Sequence, residues 1–194
     1  MMATIARDSI MTLETYSRER KAFREKVIAH KRHRTAHLGA HVILIFEDEL
    51  TIRYQIQEML RAERIFEEQG IEGEIEAYAP LIPDGRNWKA TMLLEYEDVT
   101  ERAHALAGLK GIEDQTWVQV AGQPKVLAIA DEDLERENET KTSAVHFLRF
   151  ELSDPMVAAL KAGAGLTMGV DHANYAVSHQ VEAAIRDSLT RDLT

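Results

Sequence analysis

The chain has no cysteine among its 194 residues. That absence excludes structural disulfides, thiol catalysis, thiolate zinc sites and cysteine-ligated iron–sulfur clusters. If the protein serves redox chemistry, electrons pass through a partner or through a His/carboxylate metal site. No apolar run approaches the ~20 residues that a membrane span needs, so no membrane association is expected. The opening stretch MMATIARDSIMTLE has no charged flank followed by an apolar segment. It does not read as a secretory signal, and the cytoplasm is the expected location. Internal repeats, low-complexity tracts and a Pro/Gly/Ser linker are also missing, as is any recognised catalytic signature.

What is present is a chain 45% hydrophobic and 29% charged, long enough for one sizeable core. The net charge of −10 disfavours nucleic acid as a partner. Charge is unevenly spread. From Arg18 to His37 eight Lys or Arg and two Glu give +6, so the remainder of a chain at −10 carries −16. A basic helix therefore sits on an acidic body. It either docks on acidic surface of its own chain or of a second copy, or offers a face to an acidic partner or anion.

Periodicity predicts that this helix runs over about 12–38. Thr12 serves as N-cap, Leu13, Tyr16, Phe23 and Val27 form an apolar stripe, and Gly39 is the stop. An apolar strand, 42–46, follows. The next helix is expected to continue to Gly70, with Ile52, Ile56, Met59, Leu60 and Phe66 on one side. Arg53, Gln57, Arg61 and Arg64 share another side, and Glu63 projects into the apolar one. A short helix over 72–78 precedes the loop PLIPDGRNW and a strand over 89–96. A helix over 100–110 comes next, then a hairpin of 116–120 with 125–130. Asp131–Glu139 is an acidic stretch read as exposed loop. Strand 144–152, a helix over 155–162, strands 166–170 and 175–181, and a helix over 182–193 complete the chain. The whole reads as a single α+β domain, a mostly antiparallel sheet with helices packed on one face or end.

Five groups of residues are candidates for chemistry. Arg53, Gln57, Arg61 and Arg64 present guanidinium forks suited to carboxylate or phosphate. The plainer reading is an internal ion-pair network, with Arg149 or Lys89 meeting Glu63. In PDGRNWK, Asp84, Arg86, Asn87 and Lys89 project from a loop at a strand start, where sites concentrate. The same residues also suit simple turn chemistry. Trp88 with Arg86 can form a stacking platform. His30, His33 and His37 fall within a narrow helical arc, with His41 beyond the Gly39 break, but surrounding cations disfavour a metal there. Glu101 and His104 give one E-x-x-H unit, where diiron bundles need two. Finally, His146 lies on the apolar face of its strand and Arg149 on the other. Asp171 and His172 have acid–base potential, but the sequence places no nucleophile beside them. From these patterns no metal site and no cofactor is expected.

Four segments also carry a family resemblance: FEDELTIRYQIQEMLRAERIFE, LIPDGRNWKATMLLEY, ADEDLERENETKTSAVHFLRFEL and GVDHANY. In one colinear order over almost the whole chain, they resemble the bacterial domain-of-unknown-function family 3501. The family has no assigned activity, so the resemblance assigns no catalytic residue. It implies a setting, because such proteins are similar to those encoded beside rubrerythrin-like diiron proteins and iron–sulfur oxidoreductases.

The expected function is thus a non-catalytic accessory or docking protein in a bacterial redox or oxidative-stress system, with a rubrerythrin-like or iron–sulfur protein as partner. A homo-oligomer is also expected. The competing expectation is an enzyme or sensor for a small anion held by Arg53, Arg61, Arg86 and Lys89. In that case Glu63, His146 or His172 would move protons. A pocket where the arginine helix meets PDGRNWK would favour it.

Overall fold

The structure, a computed structural model, describes residues 5–132, 136 and 140–194. Helix α1 spans Leu13–Lys31, and the Thr12 hydroxyl caps it by accepting from the Thr15 amide at 3.2 Å. Its apolar stripe is the expected one, with Tyr16, Phe23 and Val27 buried. The helix stops seven residues before 38, because the next segment is a strand. In β1 (Thr35–Leu38) Ala36 and Leu38 point inward, and the strand pairs antiparallel with β2 (Val42–Phe46). A period of two overrides the helical reading there. Gly39 therefore starts a hairpin loop rather than ending a helix, and its φ of +74° is one that glycine adopts without strain.

Helix α2 (Glu49–Glu63) begins at a reciprocal cap, in which Asp48 and Thr51 satisfy each other's amides. It ends at Arg64, which sits in the left-handed region at φ 57°, so the helix does not reach Gly70. Two expectations fall with it. Phe66 lies beyond the helix and is 67% exposed, and Glu63, in the last turn, is exposed rather than set among apolar side chains. Helix α3 (Glu68–Tyr78) starts earlier than expected.

The chain continues through β3 (Asn87–Leu94), α4 (Val99–Gly108), β4 (Thr116–Val120), β5 (Lys125–Leu127) and β6 (Ile129–Ala130). It closes with β7 (Val145–Glu151), α5 (Asp154–Lys161), β8 (Leu166–His172), β9 (Tyr175–Gln180) and α6 (Ala183–Thr190). Two antiparallel sheets result, a five-stranded one in the order β1-β2-β3-β7-β6 and a four-stranded one in the order β5-β4-β8-β9. The second arm of the expected hairpin, 125–130, splits between them. β5 pairs with β4, whereas β6 crosses over to pair with β7.

The inner faces of both sheets form one core, with Leu44, Phe46, Trp88, Met92 and Phe150 from the first meeting Val118, Leu166, Met168 and Val170 from the second. Leu106 of α4, Leu160 of α5 and Leu189 of α6 join it. The first three helices lie outside this core. Ile52, Ile56 and Leu60 of α2 pack with Ile71 of α3, and Tyr16, Phe23 and Val27 of α1 pack with Leu50 and Tyr54. The molecule is thus an α+β domain whose basic helix is carried on α2, not on the sheets.

Candidate functional site

The α1–α2 pair brings the two cationic elements together. Arg20 holds Glu58 through both carboxylate oxygens, at 2.7 and 2.8 Å, and the Tyr16 hydroxyl donates to the same carboxylate at 2.5 Å. Arg20, opposed by partial burial and helped by Tyr16, keeps Glu58 below the usual glutamate range. Burial and the Glu58 carboxylate push the Tyr16 phenol well up. Beside this anchored pair Lys21, Arg24 and Arg61 line a groove of about 390 Å³ together with Ser17 and Glu25. All three cations are exposed, and none forms a salt bridge with a described residue. The other members of the expected stripe are occupied elsewhere. Arg53 forms an ion pair with Glu49, Nε to Oε1 2.9 Å, and lies over the Phe23 ring, while Arg64 is the exposed cap residue. Gln57 is buried, and its amide takes the Met11 N–H at 2.6 Å and donates to the Met11 carbonyl at 3.4 Å.

The PDGRNWK loop follows the turn reading. Asp84 accepts from the Arg86 amide at 2.9 Å and from the Asn87 side chain at 3.0 Å. Gly85 has φ +96°, and Asn87 also donates to Glu151 at 3.0 Å. Arg86 points away to Asp154 at 2.6 Å. Trp88 forms no platform with it, since the indole is fully buried and donates to the Leu189 carbonyl at 3.0 Å.

Lys89 and Arg149 are directly opposite each other across β3 and β7. Arg149 meets Glu132 at 2.7 Å and also pairs with Glu151, so neither it nor Lys89 meets Glu63. Lys89 lines a cavity of about 250 Å³ together with Pro80, Leu81, Glu132, Phe147, Leu148 and Arg149. Burial lowers the Lys89 ammonium, Arg149 lowers it further, and Glu132, Asp84 and Glu151 act the other way. At neutral pH a charged Lys89 therefore opposes folding, and this opposition fades as the pH rises through the depressed folded value. Lys89→Met is expected to raise Tm by about 1–2 °C at neutral pH, with the gain shrinking in alkali. Thermal unfolding of both proteins across pH checks it, and a lower Tm for the variant would refute the assignment.

The remaining candidates disperse. His30 lies 2.5 Å from Asp48, His37 stands on the outer side of β1, and His41 stacks on Tyr96 with centroids 4.0 Å apart. Glu101 and His104 are exposed on α4, as are Val99 and Ala103. Asp171 accepts from the Trp117 indole at 2.9 Å and from Lys125 at 2.7 Å. His172 is buried, lies 3.0 Å from the Lys110 carbonyl, and accepts from the Asn174 amide at 3.2 Å, which makes it a structural bridge. His146 is fully buried with Asp131 and Glu113 near it.

Sequence reasoning missed Arg34 and Glu47. Arg34 is 1% exposed and donates to the carbonyls of Phe46 and Glu47, both at 3.0 Å, and to Asp192 at 2.5 Å. Glu47 is equally buried. One of its oxygens accepts from Thr91 at 2.7 Å and from Gln55 at 3.2 Å, and the other has no hydrogen-bond partner. Only a charged residue at an inward-facing strand end hinted at either.

Fold and sites together define a two-sheet α+β protein carrying a basic helical face and a small cation-lined cavity. The chain belongs to the DUF3501 family, described as a protein of unknown function, whose model matches residues 4–193. It is similar to a crystal structure of a novel protein of unknown function from Burkholderia pseudomallei K96243. The two share 53% identity and a TM-score of 0.94, over 99% of this chain and 100% of that one. Among curated proteins none matches significantly. No helix among the described residues is long and apolar enough to cross a membrane.

Proposed function

We propose that the chain is a non-catalytic accessory protein that docks an acidic partner on the α1–α2 face. The observation that carries this reading is the convergence of Lys21, Arg24 and Arg61, from two separate helices, on one groove where none of them forms a salt bridge with a described residue, although Glu25 also lines it. By contrast Arg7, Arg86, Lys125 and Arg149 each hold a carboxylate within 2.7 Å. Exposed cations kept free of internal pairing suit steering and recognition of an acidic surface. The family resemblance suggests the setting, a bacterial redox or oxidative-stress system, and the partner, a rubrerythrin-like or iron–sulfur protein.

The test is calorimetric titration of a rubrerythrin-like protein from the same host into the wild type and into the double variant Lys21→Glu, Arg24→Glu. Neither residue is buried, so the variant is expected to keep its fold and Tm. It should bind at least about tenfold more weakly, with a flatter dependence on salt. Equal affinity would remove this face from the account.

A second reading, a small anionic ligand, draws on the Lys89–Arg149 cavity rather than on the arginine helix. Arg53, Arg61, Arg86 and Lys89 do not converge, since each has the separate surroundings described above. Lined by Pro80, Leu81, Phe147 and Leu148 together with Lys89, Arg149 and Glu132, the cavity has two cations to one carboxylate, which suits a small carboxylate with an apolar body.

A further inference from the structure

The buried cluster around His146 is arranged about a point that requires positive charge, and it belongs to neither site described so far. His146 projects from the inner face of β7 with its side chain 0% exposed. Its Nδ1 is 2.6 Å from Asp131 Oδ2. Asp131 is held firmly, since its backbone N–H donates to the Phe147 carbonyl and its Oδ1 accepts from the Phe147 N–H, both at 2.8 Å. Oδ1 also lies 3.2 Å from Arg136 Nε. Oδ2 is thereby directed at the ring, and an ionised carboxylate only accepts, so Nδ1 carries the ring proton.

The opposite nitrogen, Nε2, then faces oxygen on three sides. The Thr142 hydroxyl is at 3.0 Å, the Ser143 carbonyl at 3.0 Å and Glu113 Oε2 at 3.8 Å. A lone pair on Nε2 cannot sit against a carbonyl oxygen and a carboxylate oxygen without a positive atom between them. Three species can occupy that position: the proton of the Thr142 hydroxyl, a second ring proton or a metal ion.

We infer that His146 Nε2, Glu113 and the oxygens of Thr142 and Ser143 bind a divalent first-row transition metal, with Asp131 as the orienting outer carboxylate. Donor atoms about 2.1 Å from a tetrahedral ion stand about 3.4 Å apart, and the separations of 3.0, 3.0 and 3.8 Å bracket that value. One imidazole with harder oxygen donors suits Zn²⁺ or Mn²⁺. Asp131 and Glu113 supply negative charge around the ion, part of which Arg136 offsets at Asp131. A ligating histidine ordinarily donates its other N–H to a carboxylate, which is the Asp131 contact. Enclosure makes the ion structural, because the side chains of Asp131 and Glu113 are only 10% and 9% exposed. It would tie β7 of the first sheet to Glu113, in the short turn that leads into β4 of the second.

The experiment uses the full chain without a histidine tag. Elemental analysis of protein grown with Zn²⁺ and Mn²⁺ is expected to give about one equivalent of one of them per chain. Dialysis against dipicolinate should remove it and lower Tm, and adding the metal back should restore both. Glu113→Gln, which keeps the shape of the side chain, should lose the metal and the response to chelator. Asp131→Asn should bind about 10–100-fold more weakly. His146→Ala is a poor test, because it opens a hole in the core. The inference is overturned if the wild type holds no metal and ignores chelator; ¹⁵N-resolved spectra then tell a ring protonated on both nitrogens from one whose Nε2 accepts from the Thr142 hydroxyl. Metal retained at full affinity by Glu113→Gln overturns it equally, since the ion would then reside elsewhere.

Discussion

Replacing Arg34 by methionine is expected to destabilise the protein by about 3–5 kcal/mol. For a chain of this length that is a fall in Tm of about 10 °C. The guanidinium is fully enclosed and serves three parts of the fold at once. It closes the end of β2 through the carbonyls of Phe46 and Glu47, lies 3.4 Å from the Asp48 cap of α2, and fixes Asp192 just beyond α6. Methionine fills similar volume but leaves two carbonyls unpaired and a buried carboxylate without its cation.

The two aspartates respond in opposite directions. Burial works against ionised Asp48, yet Arg34, the Thr51 amide and His30 outweigh it and lower Asp48. Burial raises Asp192 despite Arg34. Asp48 therefore contributes stability above its unfolded value, which is lost as the pH falls through the folded value. In Arg34→Met that contribution shrinks, while Asp192 is pushed further up. The variant's deficit relative to wild type should narrow as the pH falls into the carboxylate range. Urea unfolding of both proteins across that range measures it, and a deficit below about 1 kcal/mol at neutral pH would show that Arg34 is not the tie described.

Gly169→Ala should be the other severe substitution. Gly169 lies in the middle of β8, opposite Trp117 on one side and Ser178 on the other. A Cβ built there comes within 2.4 Å of the Trp117 ring and 2.4 Å of the Val177 carbonyl oxygen. The ring can move only by disturbing its bond to Asp171, and the carbonyl belongs to the β9 backbone. Overpacking of this kind costs about 1–3 kcal/mol, with backbone contact placing it at the upper end. Thermal unfolding checks this, and an unchanged Tm would mean that β8 and β9 separate more easily than their register implies. The glycine is needed for the close approach, not for its backbone angles.

Local periodicity made most elements legible. The stripe Tyr16–Phe23–Val27, the alternation in 145–151 and the Thr12 cap each express one rule over a short stretch. His146 on an inward face was readable for the same reason. Helix ends were less so, because Arg64 in the left-handed region and the strand at Thr35–Leu38 depend on tertiary partners. The division into two sheets was hidden too, since the crossing at Ala128 occurs inside what reads as one strand. Burial of single charged residues was least legible. Nothing near Arg34 in sequence marks Asp192 as its partner, 158 residues away. Glu113 and His146 meet only because β4 and β7 lie in different sheets that share a core. Of the candidate ligand residues, Asp84, Asn87, Lys89 and Arg149 gather at one end of β3 and β7 because those strands pair. Arg61 instead joins α1. Parts of the acidic stretch Asp131–Glu139 lie outside the described residues. Asp131 itself faces inward onto His146 rather than forming exposed loop.

The docking account is tested most directly by backbone hydrogen–deuterium exchange of the chain alone and saturated with the rubrerythrin-like protein of the same host. The account predicts slowed exchange over residues 16–28 of α1 and 58–64 of α2, with little change around Lys89 and Arg149. Unchanged exchange along α1 and α2, or protection confined to β3 and β7, would contradict it and move the function to the cavity beside Lys89.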